Sequence, residues 1–265
     1  MMSSEQSNPV KISRFAPSPT GPLHFGSLVA ALASYLCARQ HSQSQWLLRI
    51  EDLDPPREIP GADRLIIESL RAHGLLWDGT VVYQSDRLHA YQEALDTLQQ
   101  LELVYRCICR RADLALSGGA YPGHCRESNH DGSAPHALRL KVGNFVAGFT
   151  DGIQGPIREP LPDSCGDFII RRKDLLFSYQ LAVSVDDGAQ NISHVVRGID
   201  LMESAGREIY TLQTLGYTPP AYAHIPVLVD QNGDKLSKQT GATAIDNSQA
   251  IHNLMTALER LQQPQ

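Results

Sequence analysis

The sequence predicts an α/β fold: a doubly wound parallel sheet whose two halves are separated by an inserted, cysteine-bearing subdomain. Three observations carry this expectation. Val10-Lys11-Ile12-Ser13-Arg14-Phe15 reads as a strand, is broken by Pro17, Pro19, Gly21 and Pro22, and leads into a helix near His24. Short apolar runs such as Gln45-Trp46-Leu47-Leu48-Arg49-Ile50 then alternate with longer segments of helical period. From Val104 to about Asp174 that alternation gives way to a stretch rich in Gly, Pro, Arg and Cys.

In chain order, Leu28, Leu32, Tyr35 and Leu36 recur at helical spacing after His24. The Gln45–Ile50 strand ends in Glu51-Asp52-Leu53-Asp54 and a Pro55-Pro56 turn. Helices are expected from about Gly61 to His73 and from about Arg87 to Leu103, with Tyr91, Leu95, Leu98 and Leu101 as the second one's apolar stripe. Within the insertion, Ala137 to Val142 is strand-like. The second half resumes at Asp167, with Phe168-Ile169-Ile170 and Leu181-Ala182-Val183 read as strands, His194 to Arg197 as another, and Ala205 to Leu215 as a helix closed by Gly216. Ile225 to Val229 is read as a strand running into the Asn232-Gly233 turn, and the tail from Asp246 as a helix around Ile251, Leu254, Leu258 and Leu261. The expected divisions are 1–103, 104–166, 167–220 and 221–265.

A chain of 265 residues, 42% of them hydrophobic, can bury a full core of one or two domains. A net charge of −6 excludes general electrostatic capture of nucleic acid, so any RNA contact must use local clusters such as Arg106-Arg110-Arg111 or Arg171-Arg172-Lys173. No apolar run reaches the ~20 residues of a membrane span, and the polar N-terminus has no signal-peptide pattern, so no membrane partner is expected. Five cysteines without secretory context point to reduced thiols in the cytoplasm.

Two stretches point to chemistry. A helix beginning at His24 presents unpaired N–H groups and partial positive charge, an anion site that Gly26 lets a phosphate or adenine approach closely. Neither a Walker A loop nor a dinucleotide glycine fingerprint occurs. Far downstream, Lys235-Leu236-Ser237-Lys238-Gln239 follows a strand and a glycine-containing turn, a placement suited to closing over phosphates. Arg14 and Glu51 both stand at carboxyl ends of strands, where open α/β sheets bind ligands. Arg14 offers a planar fork for a carboxylate, and Glu51 an acid for an ammonium. Cys107, Cys109 and Cys125 fall within a loop-rich span and suit tetrahedral structural zinc. Spacing alone leaves the fourth ligand open among Tyr121, His124 and His130. Cys37 and Cys165 read as core or incidental residues.

RFAPSPTGPLHFGS resembles the HIGH signature of class I aminoacyl-tRNA synthetases in its glutamyl form, and KLSKQ resembles KMSKS. RIEDLD, YQLAVSVDD and HVVRGID match the glutamyl pattern in the same order, so the resemblance runs from about Lys11 to Thr240. It implies a Rossmann-like catalytic domain of the class I synthetase type, acting as a ligase. Within that family the chain is most similar to the short enzymes that act on queuosine in tRNA(Asp). They imply ATP-dependent activation of L-glutamate without tRNA, then transfer of glutamate to the queuosine of the tRNA(Asp) anticodon. The carried-over roles are His24, Gly26, Lys235 and Lys238 for ATP, with His24 and Lys238 catalytic. Arg14, Ala16, Ser18, Glu51, Tyr179 and Arg197 would hold glutamate. The same resemblance selects Tyr121 beside Cys107, Cys109 and Cys125 as the zinc set. ATP, Mg²⁺ and Zn²⁺ are the implied cofactors, and a monomer the implied unit. Only 26 residues follow Gln239, too few for an anticodon-binding domain. Gln239 stands where the tRNA(Glu)-discriminating enzymes usually have Arg. Two other readings are an aminoacylator of a tRNA 3′ end and a catalytically silent, zinc-containing RNA-binding module.

Overall fold

The computed structural model describes residues 10–40, 43–110, 119–128, 130, 132–227 and 243–263. Its centre is a five-stranded sheet, all of whose pairings are parallel. The members are β1 (Ile12–Phe15), β2 (Gln45–Ile50), β3 (Val82–Tyr83), β9 (His194–Gly198) and β10 (Ala221–Ile225), in the spatial order β10-β9-β1-β2-β3. The chain moves outward from β1 through β2 to β3, then returns to the other side of β1 for β9 and β10. This reversal makes the gap between β1 and β9 the switch point at which such sheets bind ligands.

Helices cover both faces, which is why β2 reads as an almost unbroken apolar run. On one face α1 (Phe25–Arg39), α2 (Ala62–Ala72) and α7 (Ala250–Arg260) pack on Trp46, Leu48 and Ile50 through Leu28, Leu32, Ile66, Leu70 and Ala257. A second core joins α3 (Leu88–Gln100) and α5 (Tyr179–Ala189) through Tyr91, Leu95, Leu98, Leu181 and Val185. A third sets α6 (Met202–Thr214) against Val195 and Tyr222 through Ala205 and Ile209. α1 starts at His24, whose extended backbone and ring Nδ1 cap the helix by accepting from Ser27 N at 3.2 Å.

The insertion contains an antiparallel sheet of β4 (Val104–Cys107), β5 (Ala137–Leu140) and β8 (Phe168–Arg171), in that order. It also contains a hairpin of β6 (Val146–Asp151) and β7 (Gly155–Pro160), followed by the short α4 (Leu161–Ser164).

Four expectations need correction. Leu181-Ala182-Val183 is helix, because α5 is buried on nearly every side and its apolar run carries no period to separate it from a strand. Phe168-Ile169-Ile170 is a strand, but it pairs antiparallel with β5 and not with the parallel sheet. Of the strand expected at Ile225–Val229, Leu228 and Val229 lie outside the described residues, and the described strand begins earlier, at Ala221, and ends at Ile225. The hairpin β6–β7 was not expected at all. Lys235 to Gln239, with Lys235 and Lys238, lies outside the described residues.

Candidate active site

At the β1/β9 switch point the strand ends open onto a cavity of about 490 Å³. Arg14, Ala16 and Ser18 come from the end of β1 and its loop, Glu51 from the end of β2, Tyr179 from the start of α5 and Arg197 from β9; all six line the cavity. His24 and Gly26 border it at the α1 N-terminus. Every described residue that the sequence assigned to glutamate or ATP therefore meets in one place.

The electrostatics are built on buried pairs. Arg14 donates Nε and Nη2 to the two carboxylate oxygens of Asp187, each at 3.2 Å. Arg49, fully buried inside β2, donates Nη2 to Asp187 at 2.7 Å and Nη1 to Gln190 at 2.7 Å. Burial opposes the Asp187 charge, but Arg14 and Arg49 outweigh it and hold the carboxyl below its ordinary value. Arg14 thus combines both roles its position allows. It is a structural ion pair on one edge of the fork, and a pocket-lining cation whose Nη1 carries no hydrogen bond among the described residues. Arg197 is similarly anchored, with Nη1 on Glu208 at 2.8 Å and on the Tyr179 hydroxyl at 3.4 Å, and Nη2 on the Leu201 carbonyl at 3.1 Å. Burial and the Glu208 charge raise the Tyr179 phenol, keeping it a neutral donor.

Glu51 is the outlier. Its Oε1 is buried without a hydrogen-bond partner, with Arg49 Nη2 at ion-pair distance, 3.6 Å. Burial pushes the carboxyl up to about 7, against the pull of Arg49 and Arg14. The residue lines the cavity, and a buried carboxyl short of hydrogen bonds costs free energy that an ammonium, by favouring the ionised form, would relieve.

The α1 N-terminus lies beside these groups. With His24 Nδ1 accepting from Ser27 N, the ring proton resides on Nε2, which lies 3.0 Å from Ser27 Oγ. Residues flanking the undescribed 228–242 segment reach the same site. Val227 lines the cavity, Ala244 bridges to His24, and Ile245 N donates to Leu23 O at 3.0 Å.

In the insertion the sulfurs of Cys107, Cys109 and Cys125 lie within 4.8 Å of one another. The Tyr121 hydroxyl is 3.5 Å from Cys107 Sγ and 3.7 Å from Cys109 Sγ. Neither His124 nor His130 belongs to this group. Tyr121 is held there because its backbone bridges to Gly166, whose φ of +63° and missing Cβ allow the approach. A Cβ at Gly166 would fall 2.2 Å from Tyr121 O. Three thiols and a phenol converging from a loop are a donor set that suits zinc. Sequence reasoning did not single out Asp187, Asp186 or Arg49; Arg49 and the Asp186-Asp187 pair lie within quoted motifs, but only the fold brings them together.

The family described as tRNA synthetases class I (E and Q), catalytic domain, matches residues 10–255. A glutamyl-Q tRNA(Asp) synthetase of Dechloromonas aromatica is 50% identical over 258 residues, covering 94% of this chain and 85% of its own. That of Vibrio vulnificus is 49% identical over 248 residues, covering 93% and 80%. Among solved structures, a glutamate tRNA ligase from Elizabethkingia meningosepticum in complex with its amino acid superposes with a TM-score of 0.77 at 25% identity. The match covers 88% of this chain and 53% of the ligase, so the chain spans about half that enzyme's length. By these similarities the chain belongs to the class I tRNA synthetases for glutamate and glutamine, a family of ATP-using ligases, and within it groups with the glutamyl-Q tRNA(Asp) synthetases.

Proposed function

We propose that the chain joins L-glutamate to AMP without tRNA and then transfers the glutamate to queuosine in the anticodon of tRNA(Asp). The observation that carries the activation step is Glu51, a buried carboxyl with one oxygen lacking a hydrogen-bond partner, which lines a cavity together with Arg14, Tyr179 and Arg197. An amino acid with a second carboxylate satisfies both kinds of wall at once: its ammonium meets Glu51 and its carboxylates meet the arginines. An amide side chain offers an arginine fork one neutral acceptor oxygen where a carboxylate offers two charged ones, so glutamate is selected over glutamine. Ala16 and Ser18 close the pocket around the chain of the substrate.

A glutamate α-carboxylate oxygen attacks the α-phosphorus of ATP, and the bond to the pyrophosphate oxygen breaks. Negative charge grows on the departing phosphates. His24 Nε2–H, the α1 N-terminus at Gly26, and Lys235 and Lys238 are the groups assigned to meet it. Mg²⁺ would accompany the ATP phosphates. In the second step an acceptor hydroxyl attacks the acyl carbon and AMP leaves. Names and overall identity of the relatives support queuosine as that acceptor.

The proposal takes Cys107, Cys109, Tyr121 and Cys125 as a structural zinc set that braces the insertion. It divides the chain into a first catalytic half at 1–103, an insertion at 104–166, a second catalytic half at 167–220 whose β8 pairs with the insertion, and 221–265, which carries β10, the closing loop and the helical tail. It takes a monomer in the cytoplasm as the working unit; among the described residues no helix is long and apolar enough to cross a membrane.

Pyrophosphate–ATP exchange with glutamate, glutamine and aspartate, without tRNA, tests the first step. Exchange with glutamate alone is expected, followed by glutamate transfer to queuosine-containing tRNA(Asp) and not to tRNA lacking queuosine. Exchange only on adding tRNA(Glu) would replace the proposal by 3′-end aminoacylation, and no exchange under any condition by a silent RNA-binding module.

A further inference from the structure

Arg197 Nε does not face the cavity. It donates to His224 Nε2 at 3.0 Å, and His224 Nδ1 is 2.6 Å from Asp151 Oδ2. All three side chains are buried, at 4%, 0% and 2% exposure. A guanidinium only donates, so His224 Nε2 must present its lone pair and the ring must carry its proton on Nδ1. Asp151 is placed to accept that proton. It is itself fixed by accepting from the backbone N–H groups of Ile153, Gln154 and His224 at 3.0, 2.9 and 3.1 Å.

Asp151 is not part of the parallel sheet. It ends β6, at the turn of the inserted hairpin, and that turn is pinned to β10. Gly152 N donates to Tyr222 O at 2.8 Å, and Gln154 Nε2 to His224 O at 2.9 Å. The insertion therefore reaches beneath the pocket and holds the histidine that holds the arginine. The charged and titratable groups around the imidazole are Asp151 from β6, Arg197 from β9, Glu208 from α6, and Tyr222, whose ring stacks on it at 5.9 Å. Burial and the neighbouring Arg197 hold the imidazole below its ordinary value despite Asp151, in keeping with a neutral ring.

We propose that His224, locked by Asp151 as the Nδ1–H tautomer, is a positioning residue for Arg197 that fixes the guanidinium plane in which glutamate's carboxylate is recognised. The inference rests on the reading of the cavity as the glutamate site. Glu208, Tyr179 and Leu201 hold the two terminal nitrogens; His224 adds the contact at Nε, so that the plane is set before substrate arrives and less ordering is left for binding to supply.

Exchange kinetics of the wild type, His224→Ala, His224→Gln and Asp151→Asn test it, with melting curves to confirm folding. His224→Ala should raise KM for glutamate by ~10–100-fold, with KM for ATP changed by less than about twofold. His224→Gln keeps an acceptor oxygen for Arg197 and an N–H donor for Asp151, and should recover most of the loss. Asp151→Asn should raise KM for glutamate in the same selective way. Parallel rises in both KM values, a His224→Gln as impaired as His224→Ala, or unchanged kinetics would each overturn the inference. Nitrogen NMR of the unliganded wild-type protein, assigned with His224→Gln, reads the ring directly. An Nδ1–H tautomer at neutral pH is expected, and an Nε2–H or doubly protonated ring would refute it. Failure of the wild type to exchange with glutamate would instead remove the proposed function, while the ring nitrogens still decide the arginine's support.

Discussion

Glu51 shows how much chemistry one side chain can carry. Its carboxyl is pushed up to about 7 by burial, so near neutrality the empty site is partly protonated. A substrate ammonium needs the ionised form. Below about 7, binding glutamate must therefore release a proton, and kcat/KM for glutamate should fall roughly tenfold per pH unit. Glu51→Gln should have a low kcat/KM that no longer changes across that window; a wild-type profile flat down to pH 5 would show that Glu51 is not the ammonium partner. Stability moves with the same group. The folded carboxyl keeps its proton where the unfolded one, near 4.5, has lost it. The fold accordingly loses stability as pH rises from about 4.5 to 7, and Glu51→Gln should remove that part of the slope in denaturant titrations. Strand ends made Arg14 and Glu51 legible as cavity-lining positions. That Arg14 is shared with Asp187, 173 residues away, was not legible, because a pair so distant in sequence is fixed by the fold alone.

α5 is the element that the sequence least resolved and on which the site most depends. Leu181, Ala182, Val183 and Val185 are all buried, so their apolar run has no exposed side from which to read a helical period. Yet only a helix places Asp186 and Asp187 next to each other beneath β1 and β2. Asp187 takes Arg14 and Arg49, while Asp186 takes Gln84 at 2.8 Å, Arg87 at 2.5 Å and Tyr91 at 2.8 Å. Asp187→Ala would remove the carboxylate that Arg14 donates to and the nearest carboxylate of Arg49. It should cost ~3–5 kcal/mol in equilibrium unfolding, and a loss below about 1 kcal/mol would mean the pairs contribute little beyond what water would give. The bridge between Tyr121 and Gly166 makes a parallel case in the insertion. Gly166→Ala drives a Cβ into the Tyr121 carbonyl, so bound metal by elemental analysis should fall well below the wild type while far-UV circular dichroism is retained. Cys109→Ser should do the same. Undiminished metal in both variants would separate the thiol cluster from any zinc. The cysteines were visible in the sequence; the glycine that seats the tyrosine among them was not, since nothing local marks Gly166 as the contact of Tyr121.

Across the whole molecule, the reversal of strand order at β1 and β9 gathers groups from remote parts of the chain into one cavity. The sequence motifs held most of the walls and, of the braces, only Asp187, to which they gave no role. Asp151, His224, Glu208 and Asp187 stand behind the residues that face the cavity and sit in stretches whose local pattern reads as ordinary strand, turn or helix. The same long-range closure bears on Lys238. Chain leaves the pocket wall at Val227 and returns at Ala244, which bridges to His24 beside the α1 N-terminus. The described chain on either side of KLSKQ thus borders the site proposed for the phosphates. In the proposed roles, Lys238 meets charge that develops as pyrophosphate departs, and Arg14, Glu51 and Arg197 hold the amino acid beforehand. Lys238→Ala should lower the rate of adenylate formation by ~10²–10³ in single-turnover measurements, with glutamate affinity by calorimetry unchanged within about twofold. Lys235→Ala should chiefly raise KM for ATP. If Lys238→Ala instead weakens glutamate binding at an undiminished rate, the lysine belongs to the amino-acid pocket, and the transition-state charge must be met by the other assigned groups, His24, the helix terminus and Lys235.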